Sequence, residues 1–265
     1  LGFVFFTYRQ LYANFVLLPE IGASRLDHLV FSISIFCSQA CMLLSACYHT
    51  FGCHSRRSRV AWLKLDIFGI SAGLLGMYLM GIYTSFFCFE EWLRSYLTVL
   101  AGLFVVIASV PLQGSLLNSP LTPSAPRFTW LHVIFTTVAL FGLAPTVHWC
   151  SLHGGLASEH VLEWLPNIAV VYGLTAAAFF FYISMFPERV KPGLFDVVGC
   201  SHQWWHLLIL AAMITWQTAG LRLLERIRTT DDFCHTVLPG IQGEHDGFNG
   251  ATLPCNKITD NATCY

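Results

Sequence analysis

Apolar positions along this chain gather into seven blocks, separated by short polar or turn-rich stretches. The blocks fall at roughly 2–19, 27–50, 63–88, 93–113, 128–150, 165–186 and 201–224. A helix needs about 20 mainly apolar residues to cross a hydrocarbon core ~30 Å thick. Each block therefore predicts one membrane-spanning helix. The first is the poorest, because it carries Tyr8, Arg9, Gln10 and Asn14. Turn residues punctuate the pattern at Pro120–Pro126, Gly154–Gly155 and Pro187–Gly193. The pattern predicts an all-α membrane protein built as a seven-transmembrane helix bundle. Residues 1–227 are expected to form the membrane domain and 228–265 a lumenal or extracellular tail. Leu1 opens directly into apolar sequence with neither an initiator Met nor a signal peptide, which reads as a fragment with a truncated first span.

Charge adds an orientation. Arg56, Arg57, Arg59 and Lys64 follow the second block, Arg127 the fourth, and Arg189 and Lys191 the sixth. The alternate loops are acidic, with Glu20 and Asp27, then Glu90 and Glu91, then Glu159 and Glu163. Basic loops stay in the cytosol. The N-terminus is thus expected in the cytosol and the C-terminus in a lumen or outside the cell. Asn261-Ala262-Thr263 is a glycosylation sequon that agrees, since it works only on the lumenal side. Arg222, Arg226 and Arg228 run against the trend. Arg56, Arg57 and Arg59 are expected to set topology and meet anionic headgroups.

Composition narrows the class further. Of 265 residues, 55% are hydrophobic and 11% charged, and the mean hydropathy is +0.60. A soluble domain carries about 25% charged residues. The net charge of −1 offers no footprint for nucleic acid, so membrane lipids are the expected surroundings. Most of the ten cysteines sit in apolar blocks as small hydrophobes, Cys88 included. Cys234, Cys255 and Cys264 lie in the polar tail, where an oxidising lumen would let two of them pair.

The candidate chemistry appears once the blocks are oriented. Ser45 and His49 are four residues apart at the cytosolic end of the second span, hence on one face. Asp66 lies just inside the third span, and His202 and His206 are again i and i+4 at the start of the seventh. Two imidazoles at that spacing converge on one ion, and a third from another helix completes the usual ligand set of a catalytic zinc. Asp66 would then orient a water or act as general base, and Ser45 would support the site. The plainer reading stays open: histidines at helix ends also cap carbonyls or meet headgroups. His54, His132, His148, His153, His160, His235 and His245 are assigned to that plainer role.

Three separated motifs carry a family resemblance. Ser45-Ala46-Cys47-Tyr48-His49-Thr50-Phe51 with Cys53-His54-Ser55, then Lys64-Leu65-Asp66 with Gly69-Ile70, resemble the second- and third-span motifs of the progestin and adipoQ receptor family. Pro187-Glu188-Arg189, Pro192-Gly193, Asp196, Gly199 and Ser201-His202-Gln203-Trp204-Trp205-His206 resemble its signature around the last span. The resemblance runs from Leu1 to about Ile227. It implies a bundle with a cytosolic N-terminus and zinc on His49, His202 and His206, with Asp66 reached through water and Ser45 alongside.

Within the family, likeness is greatest to a Golgi member that holds Raf kinase. It rests on Leu1-Gly2-Phe3, Cys41-Met42-Leu43, Thr146-Val147-His148-Trp149, Gly154-Gly155 and Phe181-Tyr182-Ile183-Ser184. That implies a Golgi membrane protein that sequesters Raf kinase through an N-terminal segment absent from this sequence and so damps Raf/MAPK signalling. Likeness to adiponectin receptors implies instead a zinc-dependent hydrolase of a lipid amide such as ceramide. An adipokine or steroid receptor, with the plasma membrane as location, is the third implication.

Overall fold

The computed structural model describes residues 1–113, 130–195 and 197–238. Arg127, Asp196, Cys255, Cys264 and the Asn261 sequon lie outside the described residues. All seven apolar blocks are helical where described. Helix α1 (Gly2–Tyr12) continues without a break through a π-helical stretch, Ala13–Leu17, and a last short turn, Leu18–Glu20. Then come α2 (Arg25–Phe51), α3 (Arg56–Ser85) and α4 (Glu90–Ser109), the last extended by a 3₁₀ turn at Val110–Leu112. The fifth block is two helices, α5 (Trp130–Phe141) and α6 (Leu143–Leu152), hinged at Gly142. Helix α7 (Glu159–Ser184), α8 (Ser201–Thr229) and the short α9 (Phe233–Val237) complete the chain. Six spans are long and apolar enough to cross a membrane by length and composition; the first block, diluted by Tyr8, Arg9, Gln10 and Asn14, is not among them.

The sequence dictates several of these ends. Ser24 accepts a bond from the Asp27 N–H while the Asp27 carboxylate accepts from the Ser24 N–H at 2.6 Å, a capping box that starts α2. Ser55 caps α3 by accepting from the Ser58 N–H. Helices α3 and α7 begin several residues before their apolar blocks. Their first turns carry Arg56, Arg57 and Arg59 in one case and Glu159 and Glu163 in the other, so the helical ladder outlasts the apolar stripe.

Three helices form the inside of the bundle. Half of the apolar window of α2 is buried, and 44% in α3 and α8, against 22% or less in the other spans. The α2–α3 seam is set by small residues. A Cβ on Gly76 would stand 2.8 Å from the Cys37 Cβ and the Ser34 carbonyl, so only glycine permits that approach. The Ser34 hydroxyl donates to the Gly76 carbonyl at 2.7 Å across the same seam. Gly69 and Gly73 lie on it too, against Cys41, whereas Ser71 is buried on another face of α3, its hydroxyl 3.5 Å from the Ile107 carbonyl of α4. Gln217 of α8 donates to Ser38 of α2 at 2.8 Å, and Trp216 donates to the Met77 carbonyl at 2.7 Å, which ties α8 to both.

The end opposite the histidines is locked by polar contacts. Asp27 is fully buried and receives the Tyr83 hydroxyl at 2.6 Å and the Arg228 Nε and Nη2 at 2.9 and 3.0 Å. The Arg228 guanidinium also lies 5.0 Å from the Phe87 ring centre. Arg226 pairs with Glu163. Two of the three arginines that ran against the charge trend therefore have acidic partners on their own side.

Cys234 is not paired within the tail. It forms a disulfide with Cys88. Its place at the end of an apolar block predicts a small hydrophobe at Cys88, but the chain turns there, and α9 folds back to meet it. Phe233, Val237 and Leu238 bury themselves against Trp149, Val161 and Trp164, so the packed bundle extends to Leu238.

Candidate metal centre

The site is built at one end of α2, α3 and α8, the three inner helices. His49 occupies the last turn of α2, and His202 and His206 face it from the first two turns of α8. Their three Nε2 atoms form a nearly equilateral triangle: 3.3 Å from His49 to His202, 3.2 Å from His49 to His206, and 3.2 Å from His202 to His206. This is the group among the described residues whose ligand atoms converge for a metal ion. His49 is exposed at the rim, and His202 and His206 are half-buried.

Such a triangle is chemically demanding. Each imidazole Nε2 carries either a proton or a lone pair, never both. Three of them cannot satisfy one another, because a closed ring of hydrogen bonds would need every Nε2 to donate and accept at once. A cation accepts all three lone pairs. Ligands ~2.0–2.1 Å from a tetrahedral zinc stand about 3.3–3.4 Å apart, close to the spacing here. The three histidines fit zinc, and three protein ligands leave one position for water or substrate.

Asp66 and Ser45 lie beside the triangle without belonging to it. The Asp66 carboxyl has Ser45 and His49 as its polar neighbours and is half-buried, and Ser45 is buried. All five residues singled out from sequence therefore meet at one end of the bundle, three as possible ligands and two behind them.

Positioning groups that sequence reasoning missed surround the cluster. Glu188, in the loop after α7, accepts from the Ser201 N–H at 2.7 Å and from the Ser201 hydroxyl, capping α8 one residue before His202. A carboxylate at a helix N-terminus also complements the dipole there. Gly199, at φ +84°, turns the chain into α8, and its N–H donates to the Gln203 Oε1 at 2.7 Å. The Gln203 amide in turn donates to the Val197 carbonyl at 2.8 Å. Tyr182 of α7 packs its ring 5.9 Å from His202, and Tyr48 packs 5.0 Å from His49. The signal for Glu188 was the motif itself; the two tyrosines carried none.

The remaining histidines divide. His153 bonds the Trp149 carbonyl at 2.9 Å, the carbonyl-capping role expected of it. Burial pulls its pKa below the ordinary value, opposed by that carbonyl. His160 is buried among Trp149, His153 and Phe233, and His148 meets the Tyr96 hydroxyl at 2.9 Å. His160 is thus a core group, while His148 is half-buried beside Tyr96 and Trp92.

A family profile described as haemolysin-III related matches residues 1–217, a stretch that contains every residue of the triangle. The chain belongs to this family. Its progestin and adipoQ receptor membership follows from the relatives. Progestin and adipoQ receptor family member 3 of Homo sapiens is 37% identical over 226 residues, 85% of this chain and 71% of that protein. The Mus musculus protein of the same name is 35% identical over the same shares. Heptahelical transmembrane protein ADIPOR2 of Oryza sativa subsp. japonica is 34% identical over 80% of this chain and 88% of its own length. For this haemolysin-III related protein, an integral membrane protein of receptor type is thus the shared description, in accord with its helical spans.

Proposed function

We propose that this protein holds one zinc ion on His49, His202 and His206 at the cytosolic end of its bundle and uses it to hydrolyse an amide in a membrane lipid. The triangle of Nε2 atoms carries the reading. A bound zinc would supply Lewis acidity and bring the pKa of a water to about 7. The protein's own part is positional. Asp66 accepts the proton of the attacking water and passes it to the leaving nitrogen, while Ser45 keeps that carboxyl turned toward His49. Tyr48 and Tyr182 wall the histidine rings and restrict their rotation.

The orientation is part of the proposal. The Cys88–Cys234 disulfide supports an oxidising compartment at the far end, and the basic turns around the histidines support the cytosol at this one.

The test is metal analysis of the purified protein, followed by fatty-acid release from ceramide. Wild type is expected to carry one zinc per chain, with His202→Ala and His206→Ala each losing most of it. Asp66→Asn is expected to keep the metal and lose hydrolysis by 10²–10⁴-fold. Wild type without stoichiometric zinc removes the metal reading; ceramide turnover equal in wild type and His202→Ala removes the hydrolase reading alone.

A second reading is favoured by the identity with family member 3. In it the protein resides in the Golgi membrane and sequesters Raf kinase, and the zinc ties α2 to α8. Raf staying cytosolic when the full-length protein is expressed excludes it.

A further inference from the structure

Cations are distributed unevenly between the two ends of the bundle. The three ion pairs among the described residues, Arg94–Glu90, Arg226–Glu163 and Arg228–Asp27, all lie at the end away from the histidines. At the histidine end, Arg56, Arg57, Arg59 and Lys64 have no carboxylate partner among the described residues. The two acids described at this end are otherwise engaged: Glu188 caps α8, and Asp66 faces Ser45 and His49. The positive charge of the first turns of α3 is left for something outside the chain.

The shape of that charge is specific. Arg56, Arg57, Val60, Ala61 and Lys64 stand at i, i+1, i+4, i+5 and i+8 on α3, hence along one face, and border a shallow, open groove on this helix alone. Arg59, one turn away on the same helix, does not line it. Two guanidinium forks and one ammonium thus border a strip made of Val60 and Ala61. Arg forks bind phosphate oxygens bidentately, and Lys adds a point charge. The apolar strip suits the glycerol and upper acyl carbons of a lipid better than a free anion. A singly charged headgroup would leave two of the three cations unmatched.

We infer that this groove on α3 is a binding site for one polyphosphorylated lipid headgroup, of the phosphoinositide class. The lipid would sit beside the histidine end of the bundle, with its phosphates between Arg56, Arg57 and Lys64 and its first chain carbons against Val60 and Ala61. The inward orientation proposed above determines only which leaflet supplies the lipid. Binding in mixed micelles is independent of that orientation, so the two statements fail separately.

The experiment is native mass spectrometry of the full chain in micelles doped with phosphatidylinositol bisphosphate, counting lipids retained per protein. Wild type is expected to keep one. A cation near an anionic lipid is worth roughly five-fold in affinity, so R56Q/R57Q/K64Q is expected to lose about 100-fold. The single variant R57Q should weaken binding clearly more than R59Q, which changes the same charge at the same depth but outside the groove. An unchanged elution volume and thermal midpoint show that each variant is folded, and R57Q alone keeps the comparison decisive if the triple variant is not. Equal losses for R57Q and R59Q overturn the site in favour of general surface charge. Phosphatidylserine competing equally at matched charge overturns the headgroup assignment. Soluble inositol trisphosphate binding as tightly as the lipid overturns the lipid as occupant.

Discussion

Replacing Arg228 by Met tests the polar lock at the end opposite the histidines. Asp27 has no exposed surface and receives Arg228 through two nitrogens, Tyr83 at 2.6 Å and the Ser24 N–H at 2.6 Å. Met keeps much of the apolar stem of Arg228 and removes the charge. The Asp27 carboxylate then stays buried with two donors in place of four bonds. Removing one partner of a buried pair costs about 3–5 kcal/mol. Tyr83 and Ser24 remain, and the Arg228 side chain is 25% exposed, so the low end, about 3 kcal/mol, is expected here. At ~2–4 °C per kcal/mol for a chain of this size, the midpoint should fall by roughly 6–12 °C. Thermal unfolding in detergent, followed by fluorescence-detected size exclusion, measures it. Arg222→Met is the control, since Arg222 is exposed on the same helix with no acidic partner among the described residues. Combining Arg228→Met with Asp27→Asn should recover much of the loss, because the uncompensated charge is gone. A drop below about 2 °C, or one equal to that of Arg222→Met, would refute the lock.

Three other outcomes are expected. Gly76→Leu should destabilise by at least about 3 kcal/mol, because even its Cβ would meet Cys37 and the Ser34 carbonyl at 2.8 Å; Gly102→Ala, with open space around it, should be near neutral. Glu188→Ala should weaken the start of α8 by about 1–2 kcal/mol and speed zinc loss to a chelator, with a small change in midpoint; an unchanged release rate would show that the Glu188 cap does not hold His202 in place. Cys234→Ser should leave Cys88 open to alkylation without reductant and lower stability by about 2–4 kcal/mol, whereas a Cys88 already reactive in the unreduced wild type would contradict the disulfide.

The fold was largely legible because a bilayer forces backbone groups to bond within each span, so apolar length alone predicts helices. The block at 128–150 shows the limit. Its composition predicts one span, yet Gly142 hinges it where the Tyr78 hydroxyl accepts the Gly142 N–H at 3.2 Å, a partner 64 residues away. The first block shows another, since its π-helical stretch at Ala13–Leu17 has no counterpart in the apolar pattern.

The sequence by itself determined which residues could meet at one depth. Helical spacing put His202 next to His206, and block order put His49 and Asp66 at the same end. It could not decide that three Nε2 atoms meet within 3.3 Å, because the rotation of each helix about its axis depends on side-chain packing. Gly69, Gly73 and Gly76 seat α3 on α2, and Glu188 fixes the first turn of α8. The same holds at the far end. In the sequence Asp27 and Arg228 are flanking charges, Tyr83 is one more residue of an apolar block, and Cys88 and Cys234 are unpaired cysteines; only the closed bundle joins them. Their meaning is a matter of distance across the bundle, and distance between segments 56 to 201 residues apart belongs to the tertiary structure alone.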